Sequence, residues 1–139
     1  MTKASLEELR KRAIASIEAE RKRQVEVEGW TTAHDDEHDN GEMMRAGMAY
    51  LHYGTEYAPA SWQDGRGIPM GWPWEAAWFK PKDRRANLVR AGALFLAERE
   101  RVTRRNGRFT EPSVRHIEHK LNLAIDLLSA LSATEEESQ

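Results

Sequence analysis

Apolar residues recur along this chain at helical spacing, in steps of three and four, and no stretch alternates with the period of two that a half-buried strand needs. In the first segment Leu6, Leu9, Ala13 and Ile17 form one stripe, and charges fill the other face. Ser5-Leu6-Glu7-Glu8 has the form of a capping box, with Glu8 three residues after the hydroxyl. The pattern predicts a helix from about residue 5 to about 26, ended by Gly29. Asp39 and Glu42 stand at a second capping-box spacing, ahead of an apolar stripe through Met43, Gly47, Tyr50 and Leu51 that ends near Gly54. WPWEAAWF, residues 72–79, predicts a short helix with Pro73 in its first turn, broken by Pro81. KDRRANLVRAGALFLAERERV follows as a longer helix, with Leu88, Ala91, Gly92, Phe95, Leu96 and Val102 facing inward and Asn106-Gly107 as its turn. The last helix begins near Thr110-Glu111-Pro112. Its apolar positions Val114, Ile117, Leu121, Ala124, Leu128 and Leu131 make the narrow seam of coiled-coil packing, within the chain or against a second copy. The expected architecture is all-α, a compact bundle of four to five helices.

Between the second and third segments lies GTEYAPASWQDGRGIPMGW, with four glycines and two prolines. An ordered loop of this length in a compact domain usually carries function or lies against a site. The sequence reads as a single domain over 1–133, followed by an acidic, frayed tail over 134–139.

Composition narrows the function. At 139 residues and 40% hydrophobic, the chain has material for one core. No apolar run approaches the ~20 residues that span a bilayer, and MTKASLEELRKR lacks a signal core, so a cytoplasmic protein without a membrane partner is expected. Without cysteine there is neither a disulfide framework nor a zinc–sulfur site. A net charge of −2 argues against direct nucleic-acid binding.

Three groups of residues carry candidate chemistry. In EGWTTAHDDEHDNGE, His34 and His38 would lie one turn apart on a helix, with Asp35, Asp39 and Glu42 nearby. That spacing can hold a divalent ion, and the carboxylates would favour Mg²⁺ or Mn²⁺. Zinc motifs of high specificity add a third ligand at defined spacing, which is missing here. The favoured reading is a capped helix start, where acids offset the positive end of the dipole. On that reading no cofactor is needed, and Asp35, Asp36 and Glu37 form an outer face for a partner. The second group is aromatic. Trp62, Trp72, Trp74 and Trp78 fall within seventeen residues, and Trp30 follows the first helix. Tryptophans are usually core. Beside KPKDRR, however, they are also the means to stack a flat ring while Lys80, Lys82, Arg84 or Arg85 neutralises its phosphate. The third group is the basic run Arg99, Arg101, Arg104, Arg105 and Arg108, which exceeds what a helix C-terminus needs. Arg101, Arg104, Arg105 and Arg108 are therefore candidates for an acidic partner. His116 and His119 lie off the apolar seam and read as solvated.

Taken together, ERKRQ, EGWTTAHDDEHDNGE, WPWEAAWFKP and KDRRANLVRAGALFLAERER resemble a group of small phage and prophage accessory proteins, over about residues 18–105. The resemblance implies a phage accessory protein, a class that includes nucleotide-pool enzymes and inhibitors of bacterial defence, and the first expectation is a binding protein that counters an anti-phage defence. It would sequester a nucleotide signal or cover a host defence protein, such as a CRISPR effector. The order of segments is also similar to MazG-like nucleotide pyrophosphohydrolases, all-α bundles that hold Mg²⁺ on paired E-x-x-E and E-x-x-D motifs. Asp39-x-x-Glu42 could stand for the first motif. The second has no match, since its helix reads Asp83-Arg84-Arg85-Ala86-Asn87, which argues against hydrolysis. Gly29-Trp30-Thr31 and Lys82-Asp83-Arg84 further resemble landmarks of the ryanodine-receptor repeat domain, a helical module associated with ligand binding. An oligomeric scaffold, dimerised through the C-terminal seam, is the third reading.

Overall fold

The computed structural model describes residues 3–31, 33, 41–53, 68–106 and 111–138, of which 105–106 and 111–113 are described by backbone alone. The Gly54–Gly67 part of the expected loop, and with it Trp62, lies outside the described residues, as does the capping position Asp39. The described residues form four helices and no strand: α1 (Leu6–Glu26), α2 (Glu42–Tyr53), α3 (Arg84–Asn106) and α4 (Glu111–Glu137). The chain is an all-α bundle, as its periodicity predicts.

α3 is the central helix and packs on each of the other three. Its run from Ala91 through Phe95 is buried on every side, the mark of a helix surrounded by others. Small residues make this possible. A Cβ added to Gly92 would meet the end of the Ile17 side chain on α1, and one added to Gly47 on α2 would come within 2.5 Å of the Phe95 ring. α1 also packs against α4. One apolar core joins Ile17, Met43, Tyr50, Leu88, Phe95 and Leu128 from all four helices. Met44 packs on a smaller cluster of Val102, Val114 and Ile117.

Caps match the expected boundaries. Ser5 Oγ accepts from the Glu8 amide at 3.2 Å, and Asp83 Oδ1 accepts from the Ala86 amide at 2.8 Å, each satisfying an otherwise orphaned N–H.

Three expectations are corrected. WPWEAAWF does not form an α-helix but a single 3-10 turn, Ala76–Trp78. Glu75 is extended (ψ 146°), and Trp72 and Phe79 both turn inward, with ring centroids 4.9 Å apart. A continuous helix could not bury both ends of so short a segment on one apolar surface. The acidic tail is not frayed: α4 runs through Glu137. Its carboxylates have partners. Glu135 accepts from Arg85 at 2.6 Å, and Glu136 accepts from Arg12 at 3.3 Å and from the Ala4 amide at 3.2 Å. The C-terminal seam, finally, is internal. Val114, Ile117, Leu121, Ala124 and Leu128 are buried within the chain, and Leu131 packs against the same core. The helices of one chain cover this stripe, so it is not open to a second copy.

His52, near the end of α2, supplies a pH dependence. Its pKa is lowered, first by burial and then by the positive charge of Lys120. The unfolded chain thus binds this proton more readily than the folded one. The associated stability is fully present above the unfolded value near 6.5 and is lost as pH falls through the depressed folded value. Midpoints of chemical denaturation between pH 7.5 and 5 should therefore decline, and His52→Gln should flatten part of that decline. An unchanged slope in the variant would assign the dependence to other groups.

Candidate functional site: an aromatic cleft between two helices

At the C-terminal end of α1 the apolar stripe Leu9, Ala13, Ile17 continues into polar residues, Arg21 and Gln24, which are also buried. Arg21 donates to Glu100 of α3 at 3.2 and 3.3 Å, and to the Trp30 carbonyl at 3.3 Å. Gly29 adopts φ +75°, a conformation that costs glycine little. The chain reverses there, and the Trp30 amide donates to the Gln24 carbonyl at 2.9 Å. Helix end, glycine and buried arginine together hold Trp30 beside α1.

The opposite wall comes from residues 72–80. Phe79 is buried against Tyr50 and Tyr53, with centroids 5.2 and 5.0 Å away. The Trp72 indole N–H donates to the Glu75 carbonyl at 3.0 Å. Arg90 of α3 donates to the Lys80 carbonyl at 2.6 Å and lies over the Tyr50 ring. Asn87, 2% exposed, accepts from the Lys82 amide at 2.7 Å and donates to the Lys82 and Tyr53 carbonyls. These contacts fix an irregular segment as firmly as a helix would.

Between the two walls lies a cleft of about 790 Å³, within the ordinary size range of small-molecule sites. Ring contacts connect it from end to end. Trp30 tilts against Trp74 at 6.4 Å, Trp74 meets Trp72 edge-on at 5.4 Å, and Trp72 meets Tyr50 edge-on at 5.7 Å.

The two ends differ in charge. At the α1 end Arg23 is held by Glu20 at 2.6 and 2.8 Å and by Glu28 at 2.9 Å. The hydrogen bonds it donates to Glu20 raise its pKa above the ordinary arginine value; partial burial opposes the shift, and Glu28 adds to it. Its charge is thus compensated locally. Lys80 and Arg90, which also line the cleft, form no ion pair among the described residues. Lys80 Nζ instead lies over the exposed Trp78 ring, 5.7 Å from the centroid.

Five residues of the predicted ligand set, Trp30, Trp72, Trp74, Trp78 and Lys80, line this one cleft. Lys82, Arg84 and Arg85 do not line it. Arg85 leans away onto α4, where it meets Ser132 and Glu135. Sequence reasoning missed Tyr50, Arg90 and Gln24. A signal for Gln24 exists, since it continues the apolar stripe of α1 with a polar side chain.

Of the other candidates, Arg101 is corrected. It is buried, and its Nε donates to the equally buried Glu98 at 2.5 Å, so it is a structural pair rather than a partner surface. Arg104 is exposed. His34, Asp35, Asp36, Glu37, His38, Asp39 and Arg108, and the side chain of Arg105, lie outside the described residues. Glu42 is half-buried at the first turn of α2. Among the described residues no group of three His, Asp or Glu side chains could hold a metal ion, and no helix is long and apolar enough to cross a membrane. No family model, curated protein or solved structure matches this chain.

Proposed function

We propose that this protein is a small-molecule binding protein whose tryptophan cleft takes a planar heterocycle bearing an anionic group, the chemistry of a nucleotide. The observation that carries this reading is the convergence of Trp30, Trp72, Trp74 and Tyr50 on one cleft, with Lys80 and Arg90 on the same lining. Base–aromatic stacking contributes about 1–3 kcal/mol per base. A lysine and an arginine with no carboxylate partner among the described residues supply charge-assisted hydrogen bonds for a phosphate. An aromatic cage can also attract a quaternary ammonium ion, but Lys80 and Arg90 would repel one.

The action is sequestration rather than turnover. In the phage setting that the sequence resemblance implies, such a protein would remove a nucleotide signal from a host defence. A MazG-like hydrolase would need a second carboxylate motif. The start of α3 offers none, reading Asp83-Arg84-Arg85-Ala86-Asn87, and the Asn87 side chain is engaged with the backbone of Lys82 and Tyr53. Titration of intrinsic tryptophan fluorescence with AMP, GMP, CMP and cyclic dinucleotides tests the proposal. Saturable quenching, with the nucleotide recovered intact, is the expected result. No response across the panel would remove the reading.

A further inference from the structure

One buried polar atom of a cleft-lining residue has no partner among the described residues. Gln24 is 1% exposed and yet contributes to the lining. Its Nε2 donates to Glu20 Oε2 at 3.3 Å, while its Oε1 finds no hydrogen-bond partner among the described residues. The amide is not simply reversed, because reversal would set the oxygen against the Glu20 carboxylate. A buried acceptor left unpaired is costly and rare in native proteins. Here it belongs to a residue of the cleft lining, next to Trp30, whose amide is bonded to the Gln24 carbonyl. The other polar groups at this end point to the same chemistry. The Glu20 and Glu28 carboxylates are acceptors, and Arg23, which lines the cleft with them, is held by both.

We infer that the heterocycle this cleft selects presents an exocyclic amino group, as an amino-substituted purine or pyrimidine does, and that Gln24 Oε1 accepts a hydrogen bond from it. The ring would stack among the tryptophans with its donor edge toward α1, and its anionic group would lie toward Lys80 and Arg90. Two poles of opposite preference then orient the ligand in a single sense along the cleft. The inference rests on the nucleotide reading above and goes beyond it by naming the edge that is recognised. A site built around a buried hydrogen-bonding group discriminates well against an analogue that lacks the matching group.

The test uses two pairs of probes, each differing by one amino group. AMP is compared with purine riboside 5′-monophosphate, and GMP with inosine 5′-monophosphate, by calorimetry on the full chain. In at least one pair the amino form should bind about tenfold tighter or more. In Gln24→Met, which keeps the volume and removes the acceptor, that preference should vanish. The melting temperature of the free variant should not fall, because no buried acceptor is left unpaired. Equal affinity within both pairs overturns the donor-edge assignment and leaves the cleft reading standing. Absence of binding by all four probes, and by CMP and the cyclic dinucleotides as well, overturns both. A preference that survives in Gln24→Met assigns the recognition to another residue and overturns the role of Gln24. Should Gln24→Met not fold, the paired affinities of the unaltered protein decide the matter alone.

Discussion

Trp74→Ala is expected to lower the affinity for a stacking nucleotide by about ten- to a hundredfold and to leave the bundle folded. The estimate follows from ~1–3 kcal/mol per stacked base at about 1.4 kcal/mol per factor of ten. Trp74 suits this test better than Trp72. It is half-buried and meets the rings of Trp30 and Trp72, whereas Trp72 also packs on Phe79 and Tyr50 and would take part of the core with it. Arg84→Ala is the matched control, since Arg84 does not line the cleft and affinity should persist. Calorimetry against AMP or GMP, with circular dichroism on the same samples, separates binding from folding. Retained affinity in a folded Trp74→Ala protein would show that the tryptophans are packing alone.

The largest effect on stability should come from the contact between α2 and α3. Phe95 is fully buried, and its truncation to Ala should cost about 3–5 kcal/mol, or roughly 10 °C and more in melting temperature. The partner position is just as telling. Gly47→Ala would gain up to ~1 kcal/mol of helix propensity but place a methyl 2.5 Å from the Phe95 ring, and overpacking of this kind costs about 1–3 kcal/mol. A net loss is expected. Combining Gly47→Ala with Phe95→Leu should recover part of it, since residues in contact are not additive. Gly92→Ala should also lose stability, because the added methyl meets both branches of the buried Ile17 side chain, down to 2.5 Å. Urea denaturation of the five proteins checks the series. If Gly47→Ala is more stable than the parent, the ring moves aside and the close approach is not required.

These two sets of variants address different layers of the molecule. Phe95 and Gly47 set the distance between α2 and α3, and hence the position of Tyr50 relative to Arg90. Trp74 belongs to an irregular segment that the helices hold through Phe79, Arg90 and Asn87. Binding can therefore be removed without removing the fold. A destabilised α2–α3 contact would weaken both, because Tyr50 and Arg90 belong to both the frame and the cleft.

The sequence by itself determined the helices. Their boundaries follow from local chemistry: a hydroxyl cap at Ser5, and apolar residues at steps of three and four. Such signals act within one or two turns and are legible in a single chain. It also identified the tryptophans as a group, because four of them lie close together in sequence. Where its reading ended, long-range contacts decided. A stripe such as Val114 to Leu128 states that a face must be covered, but not by what; only the placement of α1 and α3 against α4 made the seam internal. The 134–138 tail has no apolar reason to be ordered and is helical through partners more than a hundred residues away, Arg12 and Ala4, together with Arg85. The cleft is the clearest case. Gln24, Tyr50 and Arg90 come from three helices, and none carries a local signature of a site. They became one lining because Gly29 turned the chain, α3 set the separation, and Phe79 pulled an extended segment onto the core. Periodicity is a property of neighbouring residues, whereas a binding site is a property of distances between helices.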